Sequence, residues 1–337
     1  MRLIRILIGV VMVCSLTACG GGGGIGDSGS SVAPAASSAQ LNTSNQNAAA
    51  QDAMAASFMP MLGVYSLTGV QSMDESVLFN FARDQIDKLP TYVADAKANS
   101  VLAGVVQSSN VPCTNGGSLT VSFSDADNNG VVSGGDSVTI VSNGCREAAG
   151  TLAGTLGFVI NSVSGMFVSA NYSAGITMKF ASFSVSGSQF SSSIDGDLTL
   201  SITASGINSI NATLASPSLN VSGTYAGETR TRNLLNYSAT FTRSPHPTHV
   251  YDSSYVIDGT LTSSVLGSQA ISFATTTPFI RNSTDNYPSS GVMLLTGLNS
   301  SMLRITTQSN VLVEAALDAN GDAVFDTNTL VNWNTLM

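Results

Sequence analysis

From Ser118 onward, apolar residues recur at every second position along the chain. Leu119, Val121 and Phe123 alternate with Ser and Thr. So do Leu156, Phe158 and Ile160; Ile176, Met178 and Phe180; Leu198, Leu200 and Ile202; Leu219 and Val221; Tyr237, Ala239 and Phe241; and Tyr255, Ile257 and Leu261. Val292 and Leu294, Leu303 and Ile305, and Val311, Val313 and Leu317 continue the series. A period of two puts the apolar set on one face of a strand and the Ser/Thr set on the other. About a dozen such strands follow one another with no helical pattern between them, so neighbours are antiparallel. One apolar face shared by so many strands has to be enclosed. The fold class expected is mainly β: a long antiparallel meander forming a curved sheet, half-barrel or sandwich, with a few N-terminal helices packed on it.

Those helices are expected between residues 48 and 106. Ala48 to Met61 is rich in Ala and Met, good helix formers, and Pro60 limits its end. Ser72-Met73-Asp74-Glu75 fits a capping box. Val77, Leu78, Phe81 and Ile86 then share a face opposite Arg83, Asp84, Asp87 and Lys88, and Pro90 is expected to end that helix. Tyr92 to Val106 gives a weaker helical pattern. The helices either cover the sheet or, through Met54, Met59 and Met61, line a ligand cavity.

The front of the chain has a different character. Arg2 and Arg5 precede an apolar run from Ile6 to Val13, too short to span a bilayer as a helix, and small residues follow. Leu16-Thr17-Ala18-Cys19 resembles the lipobox of bacterial lipoproteins, in which the cysteine is lipidated and becomes the first residue of the mature protein. Residue 20 is Gly rather than the Asp that signals inner-membrane retention in many such lipoproteins, so the resemblance implies the outer membrane. The next stretch, to about Asn47, is Gly, Ser, Ala, Asn and Gln, with a root-mean-square reach of about 30 Å as flexible chain. Its Gly26-Asp27-Ser28-Gly29 is not a nucleophile loop, because no strand precedes it and no histidine lies near it in sequence. The chain therefore divides into a signal peptide (1–18), a lipidated cysteine and tether (19–47), a helical segment (48–106) and an antiparallel β domain (107–337).

Charge narrows the partners. The 337 residues carry a net charge of −9, and removing the signal takes away Arg2 and Arg5 and leaves the rest more acidic. Nucleic acid, which needs a basic surface, is excluded as a partner. Charged residues are only 10% while 43% are hydrophobic, a composition of sheet with uncharged polar faces rather than of disorder. Of the four cysteines, Cys14 leaves with the signal and Cys19 takes the lipid. Cys113 and Cys145 remain, an even pair in an oxidising compartment, and are expected to form a disulfide.

Two loops could hold metal. Asp125-Ala-Asp127-Asn-Asn129-Gly130-Val-Val-Ser133-Gly-Gly-Asp136 fits the twelve-residue calcium loop of EF-hands, with oxygen donors at positions 1, 3 and 5, Gly at 6 and a carboxylate at 12. Position 12 is Asp rather than Glu, and strands flank the loop where helices would. Turn chemistry alone also favours Asp, Asn and Gly. Pairing Leu119 with Ile140, Val121 with Val138 and Phe123 with Asp136 makes this loop the tip of a hairpin stapled at its base by the cysteines. A second stretch, Asp318-Ala-Asn320-Gly321-Asp322-Ala-Val-Phe-Asp326, offers oxygens at positions 1, 3, 5 and 9, and Trp333 beyond it is expected to pack the last strand onto the core. His246 and His249, with Asp252 beyond, lie in a proline-flanked stretch that reads as exposed turn rather than metal site. No GxSxG, HExxH, P-loop or CxxC motif is present, and no catalytic set is expected.

Taken together, the lipobox, the Cys-bounded D-x-D-x-N-G loop, the β-rich body from Tyr255 to Gly297 and the D-x-N-G-D…W segment at Asp318–Trp333 resemble a group of uncharacterised lipoproteins of Gram-negative bacteria. The resemblance implies an exported, lipid-anchored protein and brings no activity with it. The leading expectation is a non-enzymatic envelope module, stabilised by Ca2+ and binding an envelope protein or glycan. The alternative is a lipid or hydrophobic-ligand carrier, in which the curved sheet would enclose a cavity above about 300 Å³. A transmembrane barrel ranks below both, since a lipid on Cys19 makes spanning strands unnecessary.

Overall fold

The computed structural model describes residues 36–58, 60, 76–99, 107–147, 150–166, 169–188, 190–206, 208–225 and 228–337. The signal segment, the lipobox with Cys19, most of the tether, Met59, Met61 and Ser72–Glu75 lie outside the described residues. Helix α1 spans Gln46–Phe58 and α2 spans Ser76–Asn99. Fourteen strands follow: β1 Gln107–Pro112, β2 Ser118–Ser124, β3 Ser137–Glu147, β4 Gly150–Gly165, β5 Asn171–Ser186, β6 Phe190–Ser205 and β7 Ile210–Tyr225. The second half is β8 Glu228–Pro245, β9 Tyr251–Ser263, β10 Gln269–Asn282, β11 Ser290–Thr296, β12 Met302–Thr307, β13 Leu312–Asp318 and β14 Thr327–Asn332. A short helix α3, Trp333–Leu336, closes the chain.

All fourteen strands form one sheet in strict chain order, every neighbouring pair antiparallel. The sheet is open, with β1 and β14 as its edges. Strict order has a geometric consequence: the β2–β3, β4–β5, β6–β7, β8–β9, β10–β11 and β12–β13 loops share one end of the sheet. The remaining hairpin loops share the other.

The period-two residues form the inner face. Val121, Phe158, Ile176, Leu198, Tyr237, Ile257 and Ile305 are buried, each flanked by more exposed neighbours. In β11 the expected face is reversed. Met293 and Leu295 are buried, and Val292 and Leu294 face outward. Four consecutive apolar residues carry no alternation, so pattern alone cannot choose between the faces.

The helices occupy the inner side. Helix α1 contacts β9, β12, β13 and α3, and it is buried around most of its circumference, including Ala49, Ala53, Met54 and Phe58. Its one buried carboxylate, Asp52, meets Arg232 of β8 at 2.6 Å, and the Tyr237 hydroxyl donates to the Ser57 carbonyl at 2.8 Å. Helix α2 lies over β1, β2, β5 and β6 and buries Leu78, Ala82, Gln85, Leu89 and Val93, residues three or four apart. Phe81 packs on Phe183, with ring centroids 5.5 Å apart. Pro90 does not end this helix; it lies inside it, exposed, and the helix runs on to Asn99. Proline removes one backbone donor, and at an exposed position the carbonyl released can turn to water.

The last residues assigned to the tether are packed. Ala39 and Leu41 are buried, Ala39 N–H donates to the Ala270 carbonyl, and Ala39 carbonyl accepts from Leu298 N–H. The described chain thus enters beside the β9–β10 and β11–β12 loops. Trp333 seals the opposite end: it is buried, stacks on Tyr287, and its indole N–H reaches the carbonyls of Pro288 and Ser309.

A crease of β-bulges crosses the long strands. Register shifts occur between Ser142 and Cys145, Ala153 and Thr155, Phe180 and Phe183, Gly196 and Thr199, and Leu235 and Ser238. Bulges bend a sheet and increase its twist. The backbone turns left-handed at several of them: Gly154 at φ +85°, Ser182 at +46° and Asn236 at +50°.

Candidate functional site

The β2–β3 loop is built on its carboxylates. One Asp125 oxygen accepts from Gly130 N–H at 2.8 Å, which wraps the backbone round at the glycine (φ +72°). Asp136 is fully buried, accepting from Ala126 N–H through one oxygen and from Ser133 N–H through the other. Asp127 accepts from the backbone and side-chain amides of Asn129. Desolvation pushes the Asp127 pKa upward, but the Asn129 backbone and the Asp125 and Ser133 side chains outweigh it and hold the carboxyl below its ordinary value. Carboxylate oxygens of Asp125, Asp127 and Asp136 all lie within 4.8 Å of one another, and Asp125 Oδ1 is buried with no hydrogen-bond partner.

The supporting hairpin differs from expectation by two residues. Val121 pairs with Ile140, Phe123 with Val138 and Leu119 with Ser142. Asp136 falls outside the β2–β3 pairing: its carbonyl accepts from Ile160 N–H of β4, and its carboxylate turns back to hold the loop. Cys113 and Cys145 form a disulfide with Cα atoms 5.5 Å apart. It ties the β1–β2 turn to β3 rather than bridging the two strands of the hairpin.

The second acidic loop, β13–β14, sits at the opposite end of the sheet. Asp318 is buried, and its two oxygens accept from Gly321 and Ala323 N–H groups. Asn320 accepts from Asp322 N–H, and Asp322 from Val324 N–H. The carboxylates of Asp318, Asp322 and Asp326 do not gather as those of the first loop do. Here the acidic side chains cap a turn.

Two features were not legible in the sequence as sites. The first is a groove of about 520 Å³ on the outer face of β5–β9, beside the crease. Asp195, Asn220, Asn233 and Thr262 stand in one row across four strands, each paired in register with the next. A second row runs parallel to it through Ser184, Ser193, Ser222 and Thr231. Asp195 also accepts from Ser182 N–H at 2.8 Å and so holds the bulge that shapes one wall. On the inner side, by contrast, α1 and the packed aromatic residues fill the space over β9 to β13.

The second feature lies at the tip of the β8–β9 hairpin. The rings of His246 and His249 stack at 3.9 Å, and Asp252, the second residue of β9, faces both. His249 Nε2 is 2.6 Å from Asp252 Oδ1, and His246 Nε2 is 3.7 Å from Oδ2. The residues stand close together in the sequence, but the prolines around them point to an exposed turn rather than a metal site. No protein-family model, no curated protein and no solved structure matches this chain.

Proposed function

We propose that this protein is a non-enzymatic binding module of the cell envelope, held at the outer membrane by a lipid on Cys19, and that its outer-face groove takes a hydroxyl-rich glycan. The observation that carries the reading is the pair of polar rows. Neighbouring strands are spaced by about 4.8 Å, so each row offers a hydroxyl, amide or carboxylate at every strand step. That step is close to the length of one pyranose unit, and an extended glycan lying across the strands would meet a polar group at each sugar. The filled space over β9–β13 favours this reading over a lipid carrier, whose cargo would need that concavity.

The β2–β3 loop would act as a stabiliser of the same module by holding calcium. Calcium takes six to eight oxygen ligands, and the gathered carboxylates with the unpartnered Asp125 Oδ1 suit it. The β13–β14 loop lacks this support, since backbone N–H groups already engage both Asp318 oxygens.

The glycan reading is tested by titrating the mature protein calorimetrically with soluble peptidoglycan fragments and with oligosaccharide released from lipopolysaccharide. Binding of one class is expected, weakened on the order of thirtyfold in an Asn220→Ala/Asn233→Ala variant, from two lost hydrogen bonds of about 1 kcal/mol each. No binding by either class, together with lipid co-purifying with the protein, would replace the module with the carrier. The anchor is tested separately: Cys19→Ser is expected to move the folded protein from the membrane to the soluble envelope fraction.

A further inference from the structure

We infer that His246, His249 and Asp252 form a binding site for a divalent transition-metal ion of the zinc type. Two imidazoles and a carboxylate are a zinc donor set, whereas calcium and magnesium prefer oxygen alone. The three residues can each offer one ligand atom with all three atoms within 4.8 Å of one another. Two nitrogens bound to zinc at about 2.05 Å and a tetrahedral angle stand about 3.4 Å apart. Loading therefore asks the two rings, stacked within 14° of parallel, to tilt out of the stack so that both Nε2 lone pairs converge on one ion.

The rings are sorted by edge. Both Nε2 atoms face Asp252. Both Nδ1 atoms face the Thr248 hydroxyl, at 3.1 Å for His246 and 3.2 Å for His249. A metal-bound histidine ordinarily donates its other ring N–H to an acceptor, which fixes tautomer and ring orientation. Thr248 stands where that acceptor is needed for both rings at once. Its backbone N–H also approaches His246 Nδ1 at 3.3 Å, which places the His246 proton on Nε2 while no metal is bound. Loading at Nε2 then leaves the imidazole proton on Nδ1, so the contact from the Thr248 N–H is given up and the hydroxyl accepts in its place.

The backbone holds the ligands in place. Pro245 pairs with Tyr251 and closes a loop of residues 246–250, and Asp252 is fixed on both sides by pairing with Ser244 and Asn282. Pro245 and Pro247 each lock one φ, so the loop loses less freedom on binding than an ordinary five-residue turn. The prolines that mark this stretch as a turn in the sequence thus preorganise it as a site. His246, His249 and Asp252 are all partly exposed, so an ion can reach them, and three protein ligands leave a coordination position for water or an outside group. The acidic chain, at −9, attracts cations generally.

The test uses the mature protein purified without a polyhistidine tag. Zinc is titrated in competition with a chromophoric chelator, and cobalt binding is followed by its visible absorption. One equivalent is expected, with absorption bands of a mixed nitrogen–oxygen site. His249→Ala and Asp252→Asn each remove a ligand and are each expected to weaken zinc by at least the roughly 10–100-fold that the loss of a mere supporting partner costs. Circular dichroism establishes that these variants fold. Asp125→Ala, which alters only the acidic loop, is expected to leave the zinc titration unchanged. Absence of a zinc equivalent in the wild type, or equal affinity in a folded His246→Ala/His249→Ala variant, would overturn the assignment and leave the cluster as a hydrogen-bonded turn.

Discussion

Replacing Asp52 by alanine removes the carboxylate that meets Arg232 between α1 and the sheet. The two side chains are 1% and 7% exposed and 2.6 Å apart. A surface pair of this kind would contribute at most about 1 kcal/mol. A buried pair behaves differently. Its net contribution is small because both ions were desolvated to form it, yet removing one partner costs about 3–5 kcal/mol because the other charge stays behind. Domains are stable by about 5–15 kcal/mol, so Asp52→Ala should cost a large part of the total. The structure supplies a sharper test than the single variant. Arg232→Met in the Asp52→Ala background removes the guanidinium that faced the carboxylate and leaves an apolar side chain facing α1, and should recover part of the loss. Urea unfolding measures both, provided the m-value is unchanged. A loss below about 1 kcal/mol for Asp52→Ala would refute the reasoning, as would a double variant no more stable than the single one.

Gly154 should not accept a side chain: a Cβ there would lie 2.1 Å from the Ser182 carbonyl oxygen at φ +85°, and Gly154→Ala is expected to cost more than about 2 kcal/mol in the same urea assay. At Gly144, also left-handed at φ +64° but with open space around it, Gly144→Ala should cost only about 1 kcal/mol. Burial raises the Tyr237 pKa well above its ordinary 10.0, so its contribution is complete below pH 10 and is lost as the pH climbs through the raised folded-state value. Tyr237→Phe should therefore soften the alkaline loss of stability while costing about 1 kcal/mol at neutral pH, read from melts across pH 7–12. Calcium at a hundredfold excess over its Kd should stabilise the protein by about 2.7 kcal/mol relative to chelator, and Asp125→Ala should abolish the increment; coincident melting curves in the wild type would leave the loop a turn only.

The sheet was legible because a meander exposes one face of every strand, so the Ser/Thr and apolar sets separate cleanly at Leu119–Phe123 or Ile176–Phe180. Where both faces are apolar, as at Val292–Leu295, the pattern loses its meaning. Pro90 was misread for a related reason: a helix-breaking residue breaks a helix only where the freed carbonyl cannot reach water. The acidic loop was legible as a loop, but its register was not, since Asp136 matches a strand position in sequence yet falls outside the β2–β3 pairing, its carboxylate turned back to hold the loop. The crease and the groove had no local signature. Gly154, Ser182 and Asn236 are irregularly spaced along the chain and come into line only through the pairing of strands. The histidine tip was visible as residues, and what was missing was the direction in which Asp252 points.

The strand order has a consequence for how the protein is made. Each hairpin zips onto the one before it, so most contacts join strands that are consecutive in the chain, an arrangement that favours stepwise growth. Helix α1 is the exception, because its surface is completed by β9, β12, β13 and α3, the last parts to emerge. Helix α1, the first among the described residues, is therefore the last to dock. Until the C-terminal strands arrive, its apolar surface and the inner face of the growing sheet are both uncovered, a state prone to aggregation. Truncation near Trp333 should for this reason damage α1 as much as the last strand.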